Sequence, residues 1–260
     1  MLLLNLPIEQ FQIFLFVLVR VGAILFSIPF LEARNVPMTL KAALAMAMSV
    51  MLMPQLKLPP VNAIAGDPVM LVLGIIGEIA IGLIIGLMVQ LLFAGVQLAG
   101  QLAGFQMGFA IANVVDPASS LQIPILAQFL NLFALMVFFT INAHYYFIKA
   151  LVDAFAIIPP LGVHLNGQLF ELVMKTGADA FVIAIQVGAP VMVALLLANV
   201  ALGLTARTVP QMQIFVVAMP LQIVLGLLFL GFSLPYVSAF MDHAFTKMGY
   251  TIVAMMALFK

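Results

Sequence analysis

The sequence has no cysteine, which excludes disulfide bridges, thiolate nucleophiles and cysteine-based metal sites. Tryptophan is also absent, so any aromatic belt at a membrane surface falls to four tyrosines and some of the 22 phenylalanines. Charge is scarce: Asp, Glu, Lys and Arg make up 7% of the 260 residues, against about a quarter in a soluble domain. The nine basic and nine acidic residues cancel, which leaves no basic footprint for nucleic acid and no block of like charge for an interaction tail. No G-x-x-x-x-G-K-S/T loop occurs, so the chain cannot hydrolyse ATP by itself. The three histidines, His144, His164 and His243, share no metal-ligand spacing, and nothing organises Ser, His and Asp into a nucleophile motif. The reading is of a non-enzyme with no catalytic, cofactor-binding or metal residues.

What is present is apolar. Hydrophobic residues make up 66% of the chain and the mean hydropathy is +1.29, too little polarity to clothe a globule in water. Charge-free runs cover 79–115, 117–148, 180–206 and 208–241, each beyond the roughly 20 residues that cross a bilayer. A first helix is expected from Ile8 to Pro29 with Arg20 partway along, and a shorter one from Met38 to Met53 with Lys41 in its first turn. The N-terminal stretch has no basic residue before Arg20 and no small-x-small cleavage site, so it does not read as a cleaved signal peptide. Breaks are expected at 32–37, 54–68, 113–124, 159–167 and 205–213, where Gly, Pro and polar residues gather. The fold class is all-α: a polytopic membrane protein of five or six membrane-grade helices with no extramembrane domain. The segment from Pro68 to Gly108 has no internal proline and would reach about 60 Å as one helix, twice the hydrocarbon thickness. The stretch from Pro210 to Lys260 is of similar length, broken by Pro220 and Pro235. Either breaks are hidden there or these helices do not lie wholly in lipid. Lys and Arg in the loops do not alternate, so orientation is not fixed.

Within the long segment Gly74, Glu78, Gly82 and Gly86 recur every fourth residue, and Gly100, Gly104 and Gly108 repeat the spacing. Small residues at that interval let helix backbones approach closely in a membrane. Gln90, Gln97 and Gln101 form a polar stripe whose amides either hydrogen-bond across helices or face an aqueous path. Glu78 is an ionisable group inside an apolar helix. It is read either as a buried pair with Arg20 or Lys41, or as the relay carboxylate of a small proton-coupled secondary transporter. His144 suits a headgroup interface. Methionine is abundant, clustered at Met46, Met48, Met51, Met53 and at Met255, Met256, and fills either an ordinary core or a surface that seals around other subunits.

Two stretches carry a resemblance: Gly203 to Leu227, with Gly203, Ala206, Arg207, Pro210 and Gln211 as its signature, and Ala99 to Leu130. Both resemble the flagellar biosynthetic protein FliR family, the R subunit of the type III secretion export gate, as does Arg20 to Pro37. The likeness runs in order from about residue 10 to 240, with departures at Gln213, at Ala218-Met219 and at Asn142-Ala143-His144. It implies a P-like helical part over 1–167, containing a plug loop at 105–122, followed by a Q-like long helical hairpin over 168–260 that turns at Arg207, Pro210 and Gln211. It further implies a hetero-oligomer with the P and Q export-gate subunits (FliP, FliQ), contact with FlhB and FlhA, and a channel for unfolded flagellar export substrates. The implied location is the bacterial inner membrane at the flagellar basal body, part of the chain being raised to the periplasmic side. In the implied plug, Phe109, Ile111, Val114 and Val115 are apolar where a plain connector would be polar, and Asp116-Pro117 limits the next helix. Arg20, Glu78, Gly82, Gly86, Gln97 and Gln101 are expected to serve helix packing or a buried charge. No inverted repeat relates the two halves, which argues against the transporter.

Overall fold

The computed structural model describes residues 8–29, 36–56, 68–109, 124–160, 162, 166–208 and 214–259. All regular structure among them is helical: α1 (Ile8–Ser27), α2 (Met38–Leu52), α3 (Pro68–Gln106), α4 (Ile125–Thr140), α5 (Ala143–Ile157), α6 (Gly167–Thr208) and α7 (Ile214–Ala257), with one 3-10 turn after α2. Helices α1, α3, α6 and α7 are long and apolar enough to cross a membrane, and α4 with α5 adds a fifth, broken span. Helix α2, at 15 residues, is too short for a full span. The chain is thus an all-α polytopic membrane protein.

The suspected hidden breaks are absent from α3, which is one helix of 39 residues, about 58 Å long. Helix α7 runs 44 residues straight through Pro220 and Pro235, so those prolines do not divide it as the sequence suggested. A proline costs its helix one ladder hydrogen bond, and in an apolar setting neighbouring groups make up for the carbonyl it frees. The carbonyl that Pro235 frees is that of Gly231; in the same turn the Ser233 hydroxyl donates to the neighbouring Leu230 carbonyl at 2.8 Å.

The chain divides into two compact units, each drawing on both halves of the sequence: 1–91 with 142–176 and 245–260, and 92–141 with 177–244. In the first unit, α1 and α3 lie in close apposition. A Cβ on Gly82 would sit 2.4 Å from that of Ala23, and one on Gly86 1.9 Å from that of Ser27. Small residues four apart on both helices therefore let the backbones meet. The partners rise together, Ala23 with Gly82 and Ser27 with Gly86, so α1 and α3 run parallel, and α2 belongs to the connection that carries the chain back. The line Gly74, Glu78, Gly82, Gly86 is buried throughout.

In the second unit, α3 and α4 run antiparallel. Gly100 is opposite Ala127, whose backbone nitrogen would be 2.7 Å from an added Cβ. Gln97 is opposite Asn131, and Phe93 meets Phe138 edge-on with ring centroids 5.9 Å apart.

Gly86→Ala should lower thermal stability in detergent by the equivalent of about 1–3 kcal/mol, the usual cost of overpacking. Adding Ser27→Gly should recover part of that loss. Equal melting temperatures for Gly86→Ala and the wild type would show that the two helices do not need this approach.

Candidate functional site

Arg20 and Glu78 are brought together by the parallel pairing of α1 and α3. Both are fully buried, at 0% exposure. The Arg20 Nε donates to Glu78 Oε2 and Nη2 donates to Oε1 at 2.9 Å, a bidentate pairing of planar guanidinium and carboxylate. The remaining terminal nitrogen, Nη1, donates to the carbonyls of Ala154 at 3.0 Å and Ile158 at 2.9 Å. These lie where α5 ends against Pro159: the Ala154 carbonyl also accepts the Ile158 N–H at 2.9 Å, while Ile158 stands at the helix end, where carbonyls run out of intrahelical partners. The Phe155 ring lies 4.3 Å from the guanidinium carbon, within cation–π range. One side chain thus ties α1, α3 and the end of α5. The carboxylate is committed to this partner, an arrangement that holds charge in place.

Lys41, the other candidate partner, lies on the buried face of α2 with Ala45, Ser49 and Leu52. No ion pair joins it to Glu78. Gly82 and Gly86 line the α1–α3 contact. Gln97 Nε2 donates to Asn131 Oδ1 at 3.0 Å, and Gln101, one turn on, is half-buried.

Helix α3 stops at a defined point. Met107 and Gly108 close the turn, with the Gly108 N–H donating to the Phe105 carbonyl at 3.1 Å. Gly108 has a φ of 87°, a left-handed conformation that glycine adopts freely at helix ends and other residues adopt with strain. Phe109 follows and is half-buried. Ile111, Val114, Val115, Asp116 and Pro117 lie outside the described residues, as do Pro210 and Gln211 at the hairpin turn. Arg207 is exposed in the last turn of α6, where a cation complements the negative end of the helix.

In the second unit a cavity of about 380 Å³ borders the end of α3. Phe105, Gln106 and Gly108 line it with Asn199 and Gly203 of α6 and Gln222 of α7. Gln222 donates to Asn199 across the antiparallel α6–α7 pair. Sequence reasoning missed Asn199, Gln222 and Phe155. It also missed the α5 carbonyls, although Pro159-Pro160 does mark a helix end. Among the described residues no group of three His, Asp or Glu side chains gathers to hold a metal ion.

A family description, "Bacterial export proteins, family 1", matches residues 11–248. The chain belongs to this family. It is similar to the flagellar biosynthetic protein FliR of Escherichia coli (strain K12), 35% identical over 88% of this chain and 87% of that one. The FliR of Bacillus subtilis (strain 168) is 32% identical over 98% of both chains. That of Caulobacter vibrioides is 31% identical over 86% of this chain and 90% of the relative. The Arg20–Glu78 pair and the α3 terminus both lie within the stretch that this family description matches.

Glu78→Gln should leave a buried guanidinium without its counter-charge, a loss of about 3–5 kcal/mol read as reduced yield and a lower melting temperature in detergent. The double variant Arg20→Met/Glu78→Leu should recover most of it. Wild-type stability for Glu78→Gln would mean that the pair is dispensable. Gly108→Val should cost more than about 1 kcal/mol because its φ is positive, whereas Gly108→Asn should be milder. Equal melting temperatures for the two variants would remove the conformational requirement.

Proposed function

We propose that this chain is a core subunit of the flagellar protein export gate. In this reading it assembles with FliP- and FliQ-type subunits, and contacts FlhB and FlhA, in the bacterial inner membrane. It forms part of the channel for unfolded flagellar export substrates, and its segment 105–122 plugs the closed channel. The observation that carries the reading is the family match across residues 11–248, joined to near-full-length similarity to flagellar biosynthetic proteins. The physical features fit. Helices α3, α6 and α7 have 39, 42 and 44 residues, about 58 to 66 Å each, against a hydrocarbon layer of about 30 Å. Such lengths suit a subunit that is packed among other subunits and raised partly out of the bilayer plane. The antiparallel α6–α7 pair suits a Q-like hairpin over 168–260, preceded by a P-like part over 1–167.

The plug would work through apolar side chains on a segment entered through a glycine. Phe109, Ile111, Val114 and Val115 would exclude water and ions from a closed conduit, yet yield to a passing chain because apolar side chains form no ionic bonds. Asp116-Pro117 would end the plug before α4 begins. The transporter alternative needs Glu78 to exchange protons with water, and its bidentate burial against Arg20 gives that reading no support.

Deleting Phe109 to Val115 should raise ion leakage through assembled gates while leaving co-purification with the P- and Q-type subunits intact. Unchanged leakage would remove the plug. Purification as a lone monomer or symmetric homodimer would remove the gate reading itself.

A further inference from the structure

The glutamine stripe continues along α3 beyond the Gln97–Asn131 contact. In the second unit the antiparallel register of α3 and α4 sets Gln97 opposite Asn131, which it bonds at 3.0 Å, and Gly100 opposite Ala127. Gln101 is one turn beyond Gln97 on the same face of α3, and Gln128 lies three residues before Asn131 on the same face of α4. The register therefore brings four carboxamides to one seam. Gln97, Gln101 and Asn131 are half-buried and Gln128 is exposed. No charged side chain occurs among the described residues of α4 or of α3 after Glu78, so the polarity of this seam is carboxamide alone. Phe105, the next residue along the Gln97–Gln101 line, is 61% exposed, and Phe129 beside Gln128 is 43% exposed. The seam ends at the last turns of α3 and the first of α4, the two elements joined by the segment read above as the plug.

We propose that this seam is a binding track for an extended, unfolded polypeptide. The inference rests on the export-gate reading and names what its conduit surface recognises. A carboxamide offers a donor and an acceptor, the same pair that a peptide group presents at every residue. A partner membrane helix has satisfied its own backbone and could meet these amides only with polar side chains of its own, as Asn131 meets Gln97. An extended chain at apolar depth carries unsatisfied N–H and C=O groups, each costly away from water. Neutral amides meet them without regard to the side chains passing by, and without the charge that would trap an oppositely charged segment. The exposed Phe105 and Phe129 rings serve the apolar side chains of the same chain. Two of the amides hold each other, which keeps the seam satisfied when empty and leaves Gln101 and Gln128 as the first contacts.

The test uses the assembled gate in membranes with an export substrate stalled by a folded domain at its end. A photo-reactive residue at 101 or at 128 should cross-link to the stalled substrate, and the adduct should vanish when no substrate is present. Gln101→Leu/Gln128→Leu should slow export about fivefold, equivalent to about 1 kcal/mol of lost hydrogen bonding, with gate assembly unchanged. Gln101→Glu/Gln128→Glu should make export depend on substrate charge. Cross-links to another gate subunit or to lipid regardless of substrate would overturn the track while leaving the gate reading in place. So would full export by the assembled Leu variant. Failure of the chain to co-purify with gate subunits would instead bring down the gate reading on which the track depends.

Discussion

A guanidinium with no access to water sits among three helix segments and must be satisfied where it stands. Arg20 meets that demand with a bidentate carboxylate from α3, two carbonyls from the end of α5 and a phenylalanine ring. Buried ion pairs are poor sources of net stability, because desolvation offsets most of the attraction. Their better-attested value is specificity of register, and here that is what the surrounding packing lacks. Gly74, Gly82 and Gly86 repeat at four-residue intervals, or multiples of them, along the α3 face, and Ala23 and Ser27 do the same on α1. A ladder of that kind is self-similar: sliding one helix by a turn still sets small residue against small residue. Only the charges are not repeated. A one-turn slip would carry Glu78 about 6 Å from Arg20 and strand both charges, so the ion pair selects one alignment among several that close packing would accept.

The same pair explains how far the site could be read from sequence. The spacing of Gly74, Glu78, Gly82 and Gly86 identified the contact face of α3, and the isolation of Glu78 limited its partner to Arg20 or Lys41. Choosing between them needed the direction of α1 relative to α3, which no local pattern encodes. Once the helices are parallel, Arg20 falls on the α1 face that carries Ala23 and Ser27, while Lys41 is on another helix. The carbonyls of Ala154 and Ile158 were beyond any residue-type argument, since main-chain oxygens have no letter. Asn199 and Gln222 escaped notice because no other amide side chain lies within two turns of either and they meet only through the hairpin.

Helix lengths were legible where the sequence supplied no breaker and illegible where it did. The absence of proline from 69 to 116 foretold a long α3. Pro220 and Pro235 promised breaks in α7 that did not occur. A proline removes one donor and crowds one carbonyl. Whether the helix then ends depends on what is packed beside it, and that information is not local. Apolar surroundings favour continuation, because a chain that left the helix would expose several backbone groups where no water can meet them.

Exposure along α6 bears on where its apolar surface ends up. Glu171, Lys175 and Asp179 are spaced one turn apart near its start, and charged side chains of that density do not lie in hydrocarbon. Yet Phe170 and Met174, interleaved with them, are 69% and 60% exposed. Leu204, near the other end, is exposed as well, about 50 Å further along the helix. A single bilayer of about 30 Å cannot cover both ends. Lipid could cover the Leu204 end, but then Phe170 and Met174 would stand in water or headgroups. A continuous apolar surface longer than the membrane is thick calls for protein against part of it, as would hold for one subunit of a larger export assembly.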